Sequence, residues 1–511
     1  MRPLRNLHRL LTIARVLARH DALSLLEEQI PAARLLASAL RAGQQPIHDG
    51  RPGQRLAAAL SELGPTFIKL GQALSTRADL LGEEMAADLS ELQDKLPPFP
   101  GDQARAIIEE ELGAPISALY SEFDDTPVAA ASIAQVHFAV TTEGRPVAVK
   151  VLRPGIDKAF ARDIDMLTWL AEWAEFARPR LRRLKPVESM RTFEDSVALE
   201  MDLRFEAAAA AELAENFRGD DSFRVPEVDW VRTGRRVLTL ERVTGIPVDE
   251  REALLAAGLD LDQILAKAAS AFFNQVFRDG FFHADMHPGN LFVDPNGELV
   301  AVDFGIMGRV DTRTRRFLGE MLLGFLSGDY RRVAEVHFEA GYVPADKSVD
   351  AFTQACRSIA EPIMGRPLHE ISIAKLLGQL FQVTETFAME TQPQLLLLQK
   401  SMLVAEGVGR RLDPRINMWQ LARPLVENWM RANLGPEARV REAFGSVVGS
   451  LERLPRLISQ TEKTYSMLVA GGLKLHPDTV KDLVAERKRR LAPAWLPWVL
   501  AAVLAVLLVM K

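Results

Sequence analysis

Cysteine is nearly missing from this sequence of 511 residues, and the shortage narrows the kinds of protein that it can encode. Its single cysteine, Cys356, excludes an intramolecular disulfide, a cysteine-built zinc site and an iron–sulfur cluster. Neither charge dominates, since 62 lysines and arginines face 68 acidic residues, and a net charge of −6 gives no general case for a nucleic-acid partner. We therefore expect a protein of a reducing compartment, with about two to four domains and no nucleic acid bound.

Long apolar runs are also scarce, and the one that could enter a bilayer is at the C-terminus. Ala494–Met510 contains no charged residue, Trp495 and Trp498 lie near its start, and the basic run Arg487–Arg490 precedes it. A helix of this length spans about 25 Å, just short of a hydrocarbon core of about 30 Å, and such flanks are typical of a membrane interface. The sequence predicts a single-pass C-terminal transmembrane helix over 494–510, with the preceding residues in the cytoplasm. A buried or interfacial helix is the alternative.

The N-terminus is basic and has a helical apolar stripe. No acidic residue precedes Asp21, and Leu4, Leu7 and Leu11 fall on one face of a helix. The segment lacks the continuous apolar stretch of a secretory signal. Two places suit such a helix equally: an anionic membrane surface, or its own domain with the basic face in solvent.

Between the two ends, the composition changes in steps that indicate an α+β protein. Residues 1–118 are rich in leucine and alanine and are typical of helices, whereas 128–152 alternates like a strand hairpin around a polar turn. Helices return over 156–217, and strand-like stretches follow at 235–243 and within 290–302 before a mostly helical remainder. The sequence has no internal repeat and no low-complexity linker.

Two loops in the second half of the chain carry the pattern of phosphoryl-transfer enzymes. His283–Asn290 reads H-A-D-M-H-P-G-N, and a predicted strand pair separates it from D-F-G at Asp303. Asp285 is predicted to orient an attacking hydroxyl or water and to accept its proton. Asn290 and Asp303 supply the hard oxygen ligands that suit Mg²⁺ where it bridges nucleotide phosphates. The alternative, a polar loop with a chance D-F-G tripeptide, does not account for both the spacing and the strand context.

Glycine is missing where kinase-like folds place a glycine-rich loop over the phosphates. The corresponding segment, Val128–His137, reads V-A-A-A-S-I-A-Q-V-H, and Lys150 follows at the end of an apolar strand, where such folds place a phosphate-binding lysine. Alanine does not cheaply take the positive φ angles open to glycine, so this loop should be stiffer and hold phosphate differently. Without Lys150 downstream, an ordinary strand of small residues would be the default interpretation.

In combination these motifs resemble the UbiB family of atypical kinases, bacterial relatives of the mitochondrial proteins that support coenzyme Q synthesis. Besides the two loops, the resemblance rests on K-x-G-Q at Lys69–Gln72, an alanine-rich loop at Ala129–Gln135, and E-x-D at Glu200–Asp202 with Glu206 beyond it. The specific motifs cover residues 60–310, and K-x-G-Q together with an alanine-rich loop is highly specific.

The resemblance implies a nucleotide site in which ATP or ADP binds with Mg²⁺. Lys150 would contact the α- and β-phosphates and pair with Glu206 of the following helix. The alanine-rich loop would cover the phosphates, and the strand end near 241–243 would meet the adenine. The implied nucleotide-binding residues are Ala129, Ala130, Ala131, Ser132, Ile133, Ala134, Gln135, Lys150, Glu241 and Val243.

The resemblance also implies that the K-x-G-Q segment covers this site. Lys69 and Gln72 would reach toward the nucleotide, with Lys69 held by Glu200 and Asp202. Residues two apart do not share a helix face, so Glu200 and Asp202 should lie near a helix start. Taken alone, acidic residues of this kind are more often solvated surface residues.

The implied fold is an α+β, bilobal protein-kinase-like fold. The change from helical to strand-like sequence after residue 118 and the apolar run at 494–510 mark two of its limits. Its parts are an N-terminal helical extension that carries K-x-G-Q (1–118), a smaller lobe with the alanine-rich loop and the E-x-D helix (119–243), a helical C-terminal lobe with the catalytic and D-F-G loops (244–490), and the transmembrane anchor (494–510).

Two departures from protein kinases bear on the activity. Ala284 replaces the arginine of H-R-D, which commonly pairs with an activation-loop phosphate. After Gly305 the chain turns helical near Arg313, without an A-P-E motif or a long activation segment. We therefore expect no platform for an extended peptide and no phosphorylation of proteins in trans.

The leading hypothesis is a membrane-anchored atypical kinase or ATPase, in the bacterial inner membrane, that binds Mg-nucleotide and supports ubiquinone biosynthesis. The implied partners are a membrane lipid or quinone precursor and other ubiquinone-biosynthesis proteins. The alternatives are a small-molecule or lipid phosphotransferase and a nucleotide-regulated scaffold of a membrane quinone-synthesis complex. A hydroxylase is disfavoured, because the sequence has neither a flavin fingerprint nor a metal-ligand set suited to oxygen chemistry.

Overall fold

Helices fill the first part of the described chain, and the first strand begins only at Tyr120. The structure is a computed structural model that describes residues 2–22, 50–75, 82–90, 92, 96–177, 185–362, 382–384, 386–389, 393–413 and 424–431. Its principal helices are α1 (Arg2–Arg19), α2 (Pro52–Leu63), α3 (Pro65–Ser75), α4 (Glu83–Ser90), α5 (Gly101–Leu112), α6 (Ile116–Leu119), α7 (Ile156–Ala177), α8 (Pro186–Glu200), α9 (Leu203–Asn216), α10 (Arg251–Ala256), α11 (Leu261–Phe273), α12 (Thr312–Ser327), α13 (Tyr330–Glu339), α14 (Val349–Ala360) and α15 (Pro393–Leu412). Its strands are β1 (Tyr120–Phe123), β2 (Ala129–Ala130), β3 (Ala134–Thr141), β4 (Pro146–Leu152), β5 (Phe223–Arg224), β6 (Val237–Glu241), β7 (Ile246–Pro247), β8 (Phe281–His283), β9 (Leu291–Val293), β10 (Leu299–Ala301) and β11 (Met307–Arg309).

An antiparallel sheet forms the smaller lobe, as the alternating sequence predicts. Its strand order is β1–β3–β4–β6, with β2 paired to β3. Successive side chains of a strand point to opposite faces, so Val149 and Val151 are buried in a cluster with residues of α5, while Lys150 lies on the other face. On that face the lysine meets α9.

Helix α9 carries an acidic residue on its buried face. Asp202 caps the helix by accepting a hydrogen bond from the Arg204 backbone N–H. The buried residues Leu203, Glu206 and Ala210 recur at the spacing of one helical face. Helix periodicity therefore places Glu206 in the core, where a buried carboxylate needs a cation as its partner.

The larger lobe brings two loops together through short strand pairs. β9 pairs with β10 and β11 pairs with β8, all antiparallel, and the Ala284 backbone N–H donates to the Ile306 carbonyl at 3.0 Å. Phe282 and Phe304 are fully buried beside these loops. The sequence predicts β9 and β10 but neither the short strands β8 and β11 nor the π-helical turn at Asn274–Asp279.

The N-terminal helix lies on the protein itself. Ile13 of α1 is buried in a cluster with residues of α2, α3 and α4. Arg9 donates from Nε and Nη2 to the two carboxylate oxygens of Asp163, on α7, at 2.9 and 2.8 Å. The sequence allows this helix to lie on a membrane surface or to pack on the protein itself, and in the structure it packs on the protein.

The K-x-G-Q segment belongs to α3, which is separated from α2 by a glycine. Gly64 has a φ of +102°, a conformation that L side chains rarely adopt. Gly71, the glycine of the motif, is buried, and a Cβ atom at this position would lie 2.4 Å from the Leu92 side chain. A larger residue here would displace the ends of the Leu92 and Leu60 side chains, so glycine favours the close packing of α3.

The chain divides into two units at residue 430. The unit 1–430 contains all the elements named above, and of the unit 431–511 the structure describes Arg431 alone. Among the residues that the structure describes, no helix is long and apolar enough to cross a membrane. The predicted transmembrane helix at 494–510 lies outside those residues. Of the other predicted limits, 118 falls in α6 and 243 in the connection from β6 to β7.

Candidate active site

Three ionisable side chains from three elements meet between the lobes. Lys150 of β4 donates from Nζ to both carboxylate oxygens of Glu206, at 2.7 and 2.9 Å, and to Oδ2 of Asp303 at 3.2 Å. Glu206 is buried in α9, whereas the Asp303 side chain, which follows β10, is 43% exposed. The lysine thus links the sheet of the smaller lobe to the D-F-G loop of the larger one. The carboxylate of the aspartate is partly accessible to solvent.

Charge pairing determines the protonation of this group. Burial by itself lowers the pKa of Lys150, but the Asp303 and Glu206 carboxylates outweigh it and hold that pKa above its usual range. Burial raises the pKa of Asp303, yet the lysine and the Gly305 backbone N–H outweigh it and bring the pKa to about 2. The lysine and the aspartate are therefore both charged at neutral pH.

The loop after β8 holds Asp285 through its backbone. The Asp285 N–H donates to Nδ1 of His283 at 3.1 Å, and the Asp285 carbonyl accepts from the His287 N–H at 2.7 Å and from Nδ2 of Asn290 at 3.3 Å. The Asn290 amide group thus donates a hydrogen bond within the loop, and its side-chain oxygen can accept one from another partner or bind a cation. The carboxylate and the amide oxygen therefore come from one hydrogen-bonded loop, as their spacing indicates.

A buried histidine connects the loop 283–290, here called the catalytic loop, to the D-F-G loop. Nδ1 of His283 accepts from Asp285, so Nε2 carries the proton and donates it to the Asp303 carbonyl oxygen. Burial lowers the pKa of His283, which favours this neutral form. The sequence predicts no separate role for His283; in the structure it positions the backbones of two candidate site residues.

A lysine from α15 reaches the catalytic loop. Nζ of Lys400 donates to Oδ1 of Asp285 at 3.1 Å, and the two side chains are 40% and 33% exposed. The sequence carries no signal for this contact, because the two residues are 115 positions apart.

The alanine-rich segment forms a tight hairpin between β2 and β3. The Ala131 N–H donates to the Ala134 carbonyl at 2.8 Å, and no residue of the loop takes a positive φ. Arg153 closes the turn: its guanidinium donates to the Ala131 carbonyl at 3.0 and 2.8 Å, and its backbone N–H donates to the Ile133 carbonyl at 2.8 Å. Arg153 is a further support of the loop that the sequence pattern does not predict.

Two polar residues of this loop are buried. Ser132 has a hydroxyl without a hydrogen-bond partner among the described residues. Gln135 accepts from the Phe99 N–H at 2.9 Å, donates to the Phe99 carbonyl at 3.1 Å and donates to Nε2 of His137 at 2.8 Å. The Gln135 side chain thus holds the segment before α5 against the lobe, and its contact with nucleotide stays a prediction.

Lys69 pairs with one of its two expected acidic partners. Its Nζ lies 2.8 Å from Oε2 of Glu200, and both side chains are largely buried. Asp202 instead accepts from Nε and Nη2 of Arg204, at 2.8 and 2.6 Å. Glu200 ends α8 while Asp202 begins α9, so the expected position near a helix start is correct for Asp202 alone. Gln72 is half-buried farther along α3.

The strand end expected to meet adenine lies between the lobes. The Glu241 carboxylate accepts from Nη1 of Arg224 at 2.9 Å, and the Glu241 N–H donates to the Glu227 carbonyl at 2.8 Å. Val243 follows β6 and is half-buried. Adenine contacts at Glu241 and Val243 stay a prediction.

Comparison with known proteins gives two matching domain families. The profile of the ABC1 atypical kinase-like domain matches residues 91–337, and that of the UbiB helical domain matches residues 356–417. A solved complex of Rv3197 with erythromycin from Mycobacterium tuberculosis is 27% identical in sequence; the match covers 73% of this chain and 94% of that one, with a TM-score of 0.49.

Bacterial proteins named probable protein kinase UbiB are similar over most of the chain. That of Marinobacter nauticus is 42% identical over 458 residues, which cover 89% of this chain and 84% of the relative. That of Aeromonas salmonicida is 44% identical over 417 residues, or 80% and 76% of the two chains. The chain belongs to the UbiB family of atypical kinases.

Both UbiB-family domains contribute residues to the candidate site. The ABC1 match contains the Lys150–Glu206–Asp303 group and the loop with Asp285, whereas Lys400 lies within the match to the UbiB helical domain. The K-x-G-Q segment precedes both matches.

The oxygen atoms of this UbiB-family site suit Mg²⁺. Asp303 is ionised and partly exposed, and the Asn290 amide oxygen has no hydrogen-bond partner among the described residues. Mg²⁺ in kinase sites takes one or two protein ligands together with phosphate oxygens and water, so a cage of acidic residues is not needed. The described residues contain no group of three or more His, Cys, Asp or Glu side chains that could hold a metal ion by themselves. Asn290 and Asp303 are the residues that would hold the ion with a nucleotide.

Proposed function

We propose that this UbiB-family protein binds Mg-nucleotide and transfers or hydrolyses its terminal phosphoryl group, in support of ubiquinone biosynthesis at a membrane. The observation that carries the proposal is the Lys150–Glu206 ion pair with Asp303 3.2 Å from the lysine. Phosphoryl transfer by kinases requires the lysine–glutamate pair and the D-F-G aspartate to be in place together.

Each side chain of the site then has one role in the reaction. Bound Mg-nucleotide supplies the phosphoryl group and neutralises part of its charge. Lys150 contacts the α- and β-phosphates, and Glu206 keeps the ammonium group in place. Asp285 orients the attacking oxygen of water or of an acceptor hydroxyl and receives its proton on a carboxylate oxygen. The alanine-rich hairpin, closed by Arg153, covers the phosphates.

The proposal excludes phosphorylation of proteins in trans. The chain enters α12 at Thr312, directly after β11, and α15 packs against β11. Protein kinases hold an extended peptide near this position after the D-F-G loop, where this chain places helices. Water or the hydroxyl of a small or lipid-like molecule fits better as acceptor.

The cellular part of the proposal rests on two supports. Membership of the UbiB family supports a role in ubiquinone biosynthesis. The uncharged run Ala494–Met510 supports anchoring by a single C-terminal helix. A membrane lipid or a quinone precursor is accordingly the proposed partner.

Asp303→Asn tests the metal assignment and the pathway together. We expect the purified variant to remain folded and to lose most of its affinity for Mg-nucleotide, because a neutral amide replaces a carboxylate ligand. Cells that carry it should contain less ubiquinone and accumulate a precursor. Asp350→Asn, at a side chain that is 84% exposed on α14, is the matched control and should change neither readout.

The two readouts separate the two parts of the proposal. Unchanged Mg-nucleotide affinity in a titration of Asp303→Asn would contradict the metal site. Lost affinity together with a normal quinone profile would contradict the role in ubiquinone synthesis.

A further inference from the structure

The catalytic loop carries no fixed positive charge of its own. Between His283 and Asn290 it contains neither lysine nor arginine, and Nδ1 of His283 accepts a hydrogen bond from the Asp285 N–H, so this nitrogen carries no proton. Ala284 precedes Asp285. A phosphoryl group that passes to an oxygen beside Asp285 brings negative charge to this point, and phosphoryl transfer depends on positioned groups that balance such charge.

Lys400 supplies a cation at this point from a different domain. Its Nζ lies 3.1 Å from Oδ1 of Asp285, and both side chains are partly exposed, so a ligand can reach them. Lys150 already donates to Glu206 and Asp303. An ammonium group has three N–H donors, and Lys400 can therefore hold Asp285 and still donate to a phosphoryl oxygen.

Packing of α15 fixes the position of this lysine. Leu398 and Val408 are buried in the main core, and Met402 packs against it. Ser401, next to the lysine, is fully buried and donates to the Leu397 carbonyl at 2.9 Å. Lys400 is therefore presented by a helix anchored on both sides of it rather than by a loop.

We propose that Lys400 is a catalytic residue that stabilises the phosphoryl group during its transfer, so that α15 completes the active site of the kinase-like domain. The inference rests on the proposed nucleotide function and deepens it. The attacking oxygen forms a bond to the γ-phosphorus, the bond from that phosphorus to the β,γ-bridging oxygen breaks, and ADP leaves. The proton of the attacking oxygen goes to Asp285. Lys400 donates hydrogen bonds to the transferred group and exchanges no proton.

The opposite role for Lys400 predicts the opposite result. If the ion pair served to mask Asp285, removal of the lysine would free the carboxylate and raise turnover. A catalytic lysine instead predicts a loss of turnover with ATP binding retained, because its contact strengthens in the transition state.

The test compares Lys400→Met and Lys400→Arg with the parent in the full-length protein. We expect Lys400→Met to lower kcat about 10²-fold or more, with Mg-ATP affinity within about threefold of the parent, and to weaken binding of ADP with aluminium fluoride in parallel with kcat. Lys400→Arg keeps the charge and should retain part of the rate.

Arg411→Met is the matched control on the same helix. Arg411 forms a comparable exposed ion pair, with its Nη1 2.6 Å from Oδ2 of Asp249, and lies about 16 Å farther along α15. It should match the parent in kcat and in both affinities. Lys400→Gln replaces the methionine variant in the same comparison if thermal unfolding shows that Lys400→Met is not folded.

The outcomes separate this inference from the function on which it rests. A parent protein that neither binds nor turns over Mg-nucleotide contradicts the proposed function and the lysine assignment with it. A parent that is active while Lys400→Met equals or exceeds its kcat overturns the assignment of Lys400 alone.

Discussion

At the scale of single residues, the site depends on charges held where water is scarce. Lys150 and Glu206 are 15% and 7% exposed, and removal of one partner from such a buried pair typically costs about 3–5 kcal/mol. In variants of this pair, a loss of activity could therefore not be told apart from a loss of folding. Asp285 is 33% exposed, and its substitution separates the two more cleanly.

Asp285→Asn should retain Mg-nucleotide binding and lose turnover. The amide keeps an oxygen that can accept from Lys400 but cannot take the proton of the attacking oxygen. We expect affinity within about threefold of the parent and a rate at least about 10²-fold lower. A nucleotide titration and a phosphate-release assay on one preparation measure both, and turnover at the parental rate would show that Asp285 is not the base.

At the scale of elements, α3 is joined to α8 by the Lys69–Glu200 pair, at 2.8 Å. The Lys69 side chain is 11% exposed. Gly71 allows α3 to pack closely on its neighbour, so this charge is held by a packed helix. Nucleotide selection should depend on both members of the pair.

Lys69→Ala should alter nucleotide preference, raise autophosphorylation and impair quinone production in cells. Glu200→Ala should change nucleotide preference in the same direction, because it removes a carboxylate that pairs with the same lysine. The effects of the two changes on the free energy of nucleotide binding should deviate from additivity by about 0.5–3 kcal/mol in the double variant. Additive effects, or a Lys69→Ala protein with parental affinity, no autophosphorylation and normal quinones, would reduce Lys69 to a structural residue.

The α13–α14 pair gives a test of stability against pH. The ring of His337, on α13, meets Tyr342 edge-on and Phe352 at a tilt, and its Nδ1 donates to the Val333 carbonyl at 2.8 Å. Burial lowers the pKa of this histidine from 6.5. As the pH falls below 6.5, the unfolded chain binds a proton that the folded histidine does not. Stability is therefore lost as the pH falls toward the folded pKa.

His337→Phe should make this loss smaller. Phenylalanine fills the aromatic cluster but takes up no proton. Between about pH 7.5 and about pH 5.5, the free energy of unfolding of the parent should fall more than that of the variant, by up to about 1.4 kcal/mol per pH unit. Urea unfolding of both proteins at several pH values measures the difference, and equal slopes would exclude His337 as the titrating group.

At the scale of the whole molecule, two lobes and a helical domain enclose the candidate site. The smaller lobe supplies Lys150, the D-F-G loop supplies Asp303, and the helical domain supplies Lys400. Because each part contributes a charged group, nucleotide turnover should depend on their relative placement. The predicted anchor follows all of these parts in the chain.

Truncation after Glu486 should release the protein from membranes. The deletion removes the basic flank and the apolar run Ala494–Met510, and with them the segment long enough to enter a bilayer. Nucleotide binding by the truncated protein should match that of the full chain, since all the residues proposed to contact the nucleotide, Lys400 included, precede the deletion. Carbonate extraction of membranes measures the anchoring, and a truncated chain that still resists extraction would show that another segment holds it.

The sequence determined the parts of this site that lie within short stretches of chain. Lys150 is predicted from its place at the end of an apolar strand in the order of kinase-like motifs. Asp285, Asn290 and Asp303 are predicted from the spacing of two loops around a strand pair, because local geometry fixes which side chains share a loop. The motifs also sufficed to indicate the family.

The tertiary structure alone decided which distant residues support those parts. Lys400 reaches Asp285 across 115 positions, Arg153 donates to the backbone of the alanine-rich turn, and Gln135 binds the Phe99 backbone. No local periodicity encodes such contacts, because they arise only when helices and strands far apart in sequence pack together and buried polar groups must find hydrogen-bond partners.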